Sequence, residues 1–321
     1  MKHRTNTLNL AKKLYGRAEQ QCQVIHHSFQ TAQHEITDLI TLFLANHLAS
    51  NAKANPDDVQ RLKEQLQDNV DDDNQVVAKT ALQNNPMKTN LDVLKAGIVL
   101  DMLKTARLQH QALNHILNHV GNDVAHHIQR SQKDLTKLRP VPPDFNRILQ
   151  KQVGYAMSRW NPQASVNKNT LRSIRKIHQI AQRAASTGER PINYKQQIQK
   201  VLTGDVHSHG ASGTAQNIIR TETCRAGTQA KLAAFRLQNI KVYEFYSLEA
   251  RNTCADCRDL DGTSFKVSEA QEGVNCPPIH SSCRCWVEAV TDYDDFNLDD
   301  SDSLFADLSD DDDLDEDDED L

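Results

Sequence analysis

The stretch LAKKLYGRAEQQCQVIHHSFQTAQHEITDLITLF, residues 10–43, decides the fold class, because its apolar residues recur in steps of three and four. That spacing places them on one face of a single long helix. They are Leu14, Ala18, Cys22, Ile25, Phe29, Ala32, Ile36, Leu39 and Phe43. A second run of the same period extends from Leu91 to Leu135 and stops at the proline-rich residues 140–143, which cannot continue a helix. We therefore predict a mainly α protein in which residues 1–140 form long helices, either as a bundle or as an extended arm.

Composition agrees with a helical chain. Among 321 residues, aromatics make up only 5%, and there are 11 Gly and 9 Pro. Straight-chain side chains, which lose little rotamer freedom in a helix, are abundant. No apolar run approaches the roughly 20 residues that a membrane-spanning helix needs. The N-terminus has no apolar core of a signal peptide, so we expect synthesis and retention in a cytoplasm.

Charge is divided unevenly along the chain. Residues 291–321 hold 17 Asp or Glu and no Lys or Arg. The remaining 26 acidic residues face all 37 Lys and Arg, so residues 1–290 carry a net charge of +11. We predict that residues 291–321 form a disordered acidic tail, because their like charges repel and few apolar residues repay ordering. A basic body with an acidic tail is typical of nucleic-acid or assembly partners, although it is also compatible with a solvated surface and a solubility tail.

The region 141–205 is predicted to be a helical linker with one basic amphipathic helix, and breaks are expected at Asn161-Pro162 and near Gly188. Its segment LRSIRKIHQIAQR, residues 171–183, places isoleucines on one side. The other side carries Arg172, Arg175, Lys176 and Arg183. These four residues are candidate contacts to the phosphates of double-stranded DNA. An ordinary solvated helix face is the alternative.

Residues 206–290 are predicted to be a small α+β module. The glycine-containing stretch 204–213 favours a hinge, and Thr214 suits the cap of a helix that reaches about Gln238. Aromatic and β-branched residues then predict strands over residues 240–246, 263–267 and 286–290.

The cysteines concentrate in this module. Six of seven follow residue 220, and the pattern is Cys254-x-x-Cys257, then Cys276-Pro-Pro-Ile-His280-x-x-Cys283-x-Cys285. A C-x-x-C pair with a second His/Cys cluster at a distance is typical of structural zinc. We predict Cys254, Cys257, His280 and Cys283 as ligands, with Cys285 able to replace His280. A disulfide framework is disfavoured in a reducing cytoplasm, and a redox C-x-x-C would require a strand–helix setting. Cys22 and Cys224 are expected in the core.

The strings that surround these cysteines form a recognisable set. They are Arg220-Thr221-Glu222, the Leu260-Asp261-Gly262 turn after Cys257, and the closing residues 277–285, PPIHSSCRC. Together they resemble the Mu F-like family of bacteriophage minor head proteins, also called the SPP1-type family, over about residues 210–290. Ser281 replaces the usual proline after the histidine, and SLEAR (residues 247–251) replaces the usual aspartate followed by Arg-Thr.

The resemblance implies a function in phage assembly. A family member is a minor capsid component at the portal vertex that acts in procapsid assembly and genome delivery. Its expected partners are the portal protein and procapsid components, with no small-molecule substrate and no membrane. Its expected locations are the host bacterial cytoplasm during assembly and then the virion head.

Two other functions remain open at this point. Arg220, Glu222 and His280 could serve a toxin-like nuclease or transferase, and the zinc module could belong to a DNA-binding protein. Residues 220 and 222 point to different sides of a helix, so we expect structural pairing with polar groups of the cysteine loops instead. His115 and His119 could share a metal, but no carboxylate accompanies them in a catalytic arrangement, so we expect a solvated helix face. No P-loop, dinucleotide or nucleophile-elbow motif is present, so we predict no enzyme.

Overall fold

Helices dominate the structure, a computed structural model that describes residues 2–46, 49–131, 142–248 and 253–290. The helices are α1 (Lys2–Ala45), α2 (Pro56–Asn69), α3 (Gln75–Leu82), α4 (Asn90–Ser131), α5 (Phe145–Trp160), α6 (Pro162–Thr187), α7 (Pro191–Leu202), α8 (Gly210–Leu237) and α9 (Ala255–Asp259). The prediction of a mainly α chain with a small C-terminal α+β region is confirmed. The predicted disorder of residues 291–321 falls outside the described residues. No described helix is long and apolar enough to span a membrane.

The two long helices predicted from periodicity exist and pack together. α1 contacts both α4 and α8, and α4 also contacts α8, so these three helices surround the main core. Leu14, Ile25, Phe29 and Ile36 of α1 are almost completely buried. At the end of the stripe the buried residue is Ile40 rather than Leu39, which is only half-buried. This drift by one residue is expected in a long helix whose 3.6-residue period does not match a strict repeat of threes and fours.

The ends of α6 agree with the breaks expected at Asn161-Pro162 and Gly188. The Asn161 side chain accepts a hydrogen bond from the Ala164 backbone N–H, and Pro162 occupies the first turn, where its missing donor costs nothing. Gly188 ends the helix with φ of +62°, a left-handed conformation that glycine adopts without strain. Ile174, Ile177 and Ile180 are buried as predicted.

The predicted start of the next helix was wrong by five residues, because the N-cap is His209 and not Thr214. α8 begins at Gly210, and Thr214 lies inside it, donating from Oγ1 to the Gly210 carbonyl oxygen at 3.0 Å. Residues 204–210 form a closed turn in place of an open hinge: Asp205 N–H donates to the Ser208 carbonyl at 2.8 Å. Gly204 and Gly210 both have positive φ, and a Cβ on Gly204 would clash with the Ser208 carbonyl oxygen. Glycine therefore serves here to close the backbone on itself.

A three-stranded antiparallel sheet packs against α8. Its strands are β1 (Val242–Tyr246), β2 (Ser264–Lys266) and β3 (Trp286–Ala289), in the order β2-β1-β3. β3 meets α8 through Trp286, whose indole is buried close to Gly227. The sheet is therefore attached to α8 by packing, and the cysteines lie in the loops between the strands.

Candidate metal centre and its surroundings

The C-x-x-C pair lies at the start of the short helix α9. Cys254 is its N-cap residue, and its Sγ accepts a hydrogen bond from the Cys257 backbone N–H at 3.3 Å. The turn that follows is held to β1: Asp261 Oδ1 accepts from the Ser247 N–H at 2.6 Å, and Gly262 N–H donates to the Phe245 carbonyl at 2.9 Å. Gly262 has φ of +76°. Asp261 and Gly262 therefore shape the turn that presents Cys254 and Cys257 beside the sheet.

The second half of the cluster lies on the loop that enters β3. Ser282, in the middle of this loop, donates its backbone N–H to Thr221 Oγ1 at 2.9 Å and its hydroxyl to Asn217 Oδ1 at 2.7 Å. Both acceptors belong to α8. The helix thus fixes the segment that carries His280, Cys283 and Cys285.

The two halves meet at Cys257. Its Sγ lies 3.3 Å from His280 Nε2 and 4.0 Å from Cys283 Sγ. Donor atoms lie within 4.8 Å of one another in two sets, Cys254/Cys257/His280 and Cys257/Cys283/Cys285. Zn–S bonds of about 2.3 Å in a tetrahedron place two sulfur ligands about 3.8 Å apart. These Cys/His groups could therefore hold a metal ion. Folding brings the C-x-x-C pair close to the later His/Cys cluster, although the two are far apart in the sequence.

The orientation of His280 suits a ligand. Its Nδ1 lies 2.8 Å from the Ser281 carbonyl oxygen, which can only accept, so Nδ1 carries the proton. Nε2 then keeps its lone pair and points at Cys257. A ligating histidine usually has its second nitrogen held in this way.

The environment of the thiols also favours a cation. Burial raises the pKa of Cys257, whereas hydrogen bonds from Cys224 and then Cys285 lower the pKa of Cys283. Without a cation, only part of such a cluster is readily ionised, because thiolates repel one another. A metal ion would supply the missing positive charge.

Two contacts beside the cluster, made by Cys224 and Tyr15, were not anticipated from the sequence. Cys22 and Cys224 are buried as expected for core residues, but Cys224 Sγ also contacts the Cys285 carbonyl oxygen at 3.6 Å. The same oxygen accepts from Tyr15 Oη at 3.0 Å, so α1 contacts the loop that carries Cys283 and Cys285. The sequence signal for Cys224 was its position one helical turn after Arg220. Tyr15 had no such signal. Cys276, although buried, belongs to neither donor set among the described residues.

The Arg-Thr-Glu string of α8 ties three parts of the molecule together. Arg220 donates to both carboxylate oxygens of Glu19 in α1, at 2.8 and 2.9 Å, and Arg284 of the cysteine loop donates to the same carboxylate. These hydrogen bonds lower the pKa of Glu19, with Arg220 the largest cause. Thr221 Oγ1 accepts from the Ser282 backbone N–H of the cysteine loop. Glu222 accepts from Arg225, which also binds Glu272. The string links α1, α8 and the cysteine loop.

Residues 175–288 match the family model described as Phage Mu protein F like protein. The resemblance to the Mu F-like family is confirmed. The match indicates a phage head morphogenesis protein and extends the similarity upstream of the motifs, into α6. No curated protein and no solved structure matches the chain.

The geometry gives no support to a catalytic set within the Mu F-like segment. Arg220 is engaged with Glu19, whereas Glu222 and His280 line a cleft between the end of α5, α8 and two loops. The enzyme alternative required these three side chains to converge. The similarity of residues 175–288 to a structural head protein family is consistent with a structural role.

The basic residues of α6 are exposed and border a groove. Arg172, Arg175, Lys176 and Arg183 all point to solvent, opposite the buried isoleucines. All but Arg175 line a groove of about 590 Å³ between α6, α7 and the start of α8, together with Lys200 of α7. Lys200 is already paired with Asp205 at 3.1 Å. Arg172, Lys176 and Arg183 are therefore exposed on one surface, and Arg183 also donates to Gln197 Oε1 at 3.3 Å.

His115 and His119 of α4 lie on an exposed surface. The His119 ring Nδ1 is 2.8 Å from the His115 carbonyl oxygen. Neither joins a set of three or more metal-binding side chains among the described residues. The solvated face is the better explanation of this pair.

Proposed function

We propose that this chain is a minor head protein that acts at the portal vertex in procapsid assembly and genome delivery, and that it is stabilised by one structural zinc ion. The observation that carries the proposal is the convergence of the Mu F-like motif residues on one Cys/His cluster that α8 anchors to the long helices.

Zinc is the metal that best suits the donor set. Three thiolates and an imidazole form a common structural zinc site. We propose Cys254, Cys257, Cys283 and His280 as ligands, with Cys285 as the alternative to His280. The proposed ligands lie in segments outside the three strands, so ligation would contribute to holding those segments in their folded positions.

Metal analysis of single-residue variants tests the ligand set. Protein purified under reducing conditions should contain about one equivalent of zinc, and Cys257→Ser should lose it. Cys276→Ser is the matched control, because Cys276 is buried in the same segment but lies in neither donor set. Between His280→Ala and Cys285→Ser, the variant that retains zinc identifies the residue that is not a ligand. A folded, metal-free protein with unchanged stability in Cys257→Ser would refute the assignment.

The portal assignment comes from the resemblance and needs a binding experiment. The helices of residues 1–140 lie outside the family match, and we propose that this region, with a boundary near residue 140, supplies a contact to portal or procapsid components. Co-expression of the tagged chain with neighbouring gene products should recover the portal protein. Recovery of other head proteins without portal, or of none, would contradict the vertex assignment.

We also propose that the α6–α7 groove binds double-stranded DNA without sequence preference. Its support is the exposed set Arg172, Lys176 and Arg183 on one surface. Three phosphate contacts predict a slope of log affinity against log salt of about −2.7, or a roughly 40-fold loss between 50 and 200 mM salt. Changing these three residues to alanine should remove most of the slope. The triple variant Lys53→Ala/Lys63→Ala/Lys79→Ala removes equal charge from exposed sites elsewhere. Equal effects of the two triple variants would refute the groove.

A further inference from the structure

A cleft beside the cysteine loop has a composition that the head-assembly function does not explain. It encloses about 530 Å³ between the end of α5, the first half of α8 and the loops at 272–273 and 278–281. Its lining includes Trp160, Glu222, Arg225, Glu272 and Ile279. The lining thus combines an aromatic ring and apolar surface with two carboxylates.

Glu222 is the key residue of the cleft. It is 8% exposed, and one of its carboxylate oxygens accepts from Arg225. The other oxygen, Oε2, has almost no exposed surface and no hydrogen-bond partner among the described residues. A buried carboxylate oxygen without a donor is costly, and most such groups in folded proteins are satisfied. Because Glu222 lines the cleft, a donor that enters beside its carboxylate would satisfy this oxygen.

The charge of the cleft selects the sign of the ligand. Arg225 is shared between Glu222 and Glu272. The carboxylate oxygens of Glu272 accept from Arg225 Nε and Nη2 at 2.8 to 3.1 Å. Two carboxylates and one guanidinium leave a net charge of −1 on these three residues. A phosphate or carboxylate would be repelled here, whereas a cationic donor would be attracted.

The walls of the cleft suit a long side chain with a charged end. The Trp160 indole is 46% exposed, and the Arg225 guanidinium carbon lies 4.9 Å from its ring centroid, covering one face. Pro278 and Ile279 also line the cleft and supply apolar wall. Lysine and arginine bury methylene stems on apolar or aromatic surface while their charged ends pair with acids.

We propose that this cleft binds an arginine or lysine side chain presented by a partner protein, with its charged end on Glu222 Oε2 and its stem along Trp160 and Ile279. The site lies between the Arg-Thr-Glu helix and the loop that carries His280, so an inserted side chain would bridge the two. The inference goes beyond the proposed function, because it specifies the chemistry of a contact and does not require the partner to be the portal.

Tryptophan fluorescence of the full chain tests the proposal. The chain has two tryptophans, Trp160 at the cleft and Trp286 in the core, so a ligand in the cleft should change the signal of the exposed indole. The probes are the peptide Gly-Ala-Arg-Ala-Gly, its lysine counterpart and its citrulline counterpart, which keeps the shape but lacks the charge. Putrescine serves as a free diamine. We expect saturable binding of the two cationic peptides and at least about tenfold weaker binding of the citrulline peptide.

Variants separate the cleft from general charge effects. Glu222→Gln should weaken the arginine peptide about tenfold or more, whereas Glu64→Gln, which changes an exposed acid of α2, should leave affinity unchanged. If thermal melting shows that Glu222→Gln does not fold, Glu272→Gln replaces it, with an expected loss of several-fold. Equal binding of the citrulline peptide, no effect of these variants, or no saturable signal would overturn the proposal. Putrescine binding as tight as the arginine peptide would overturn the assignment to a protein side chain.

Discussion

The ion pair between α8 and β3 offers a sharp test of how the sheet is attached. Lys231 is completely buried, and its Nζ donates to both carboxylate oxygens of Glu288 at 3.1 and 2.9 Å. The same Nζ lies 5.3 Å from the Trp286 ring centroid and 5.8 Å from that of Phe235. The charge thus sits among aromatic rings, where water does not screen it.

Lys231→Met removes the positive charge while keeping most of the side-chain volume. Glu288, 8% exposed, would remain as a buried acid without this partner. Breaking a buried pair from one side typically costs about 3–5 kcal/mol, and we expect about 3 kcal/mol because Glu288 retains some solvent contact. Replacing both partners, as Lys231→Met/Glu288→Leu, should recover most of the loss, since hydrophobic replacement of a buried pair is often close to neutral.

Urea unfolding at neutral pH with saturating zinc measures these free energies. Helical circular dichroism reports the bundle, and Trp286 fluorescence reports the α8–β3 contact. Lys63→Met, at an exposed site of α2, controls for loss of a lysine. A loss below about 1 kcal/mol in Lys231→Met, or a double variant whose loss equals the sum of the single losses, would show that the pair is not a coupled buried interaction.

Three further outcomes are expected. Gly227→Ala should destabilise by about 1–2 kcal/mol in thermal melts, because its Cβ would lie 2.8 Å from Trp286 Cζ3, whereas Gly16→Ala, with open space, should stabilise slightly. Burial raises the pKa of Asp101 to about 6 in the folded state. As pH falls from about 6 to 4, the folded state therefore binds a proton before the unfolded state does, and the contribution of Asp101 to stability rises. Asp101→Asn should flatten that pH dependence of urea unfolding, by about 1–3 kcal/mol; an unchanged profile would contradict the assignment. Removal of residues 291–321 should leave the melting temperature unchanged and strengthen low-salt DNA binding; a large fall in melting temperature would show that the tail docks.

Local patterns were sufficient for the two longest helices, for the ends of α6 and for grouping the Cys/His residues. The steps of three and four in residues 10–43 predicted α1, because a helix buries whichever face is apolar regardless of its partner. The Asn161-Pro162 and Gly188 signals located the ends of α6, since capping depends on adjacent backbone. The C-x-x-C pair and the later His280, Cys283 and Cys285 could be grouped because few other arrangements of such donors serve a structural purpose.

Contacts between distant residues were decided only by tertiary packing. Glu19 is one of many acids on a long helix, and nothing near it in the sequence indicates that Arg220 and Arg284 would meet on it. The placement of Tyr15 and Cys224 beside Cys285, and the cleft around Glu222, depend equally on how α1, α8 and the cysteine loop cross. Periodicity specifies which face of a helix is buried. The identity of the residue it is buried against follows from the relative position and rotation of whole elements, which the sequence of either element alone does not contain.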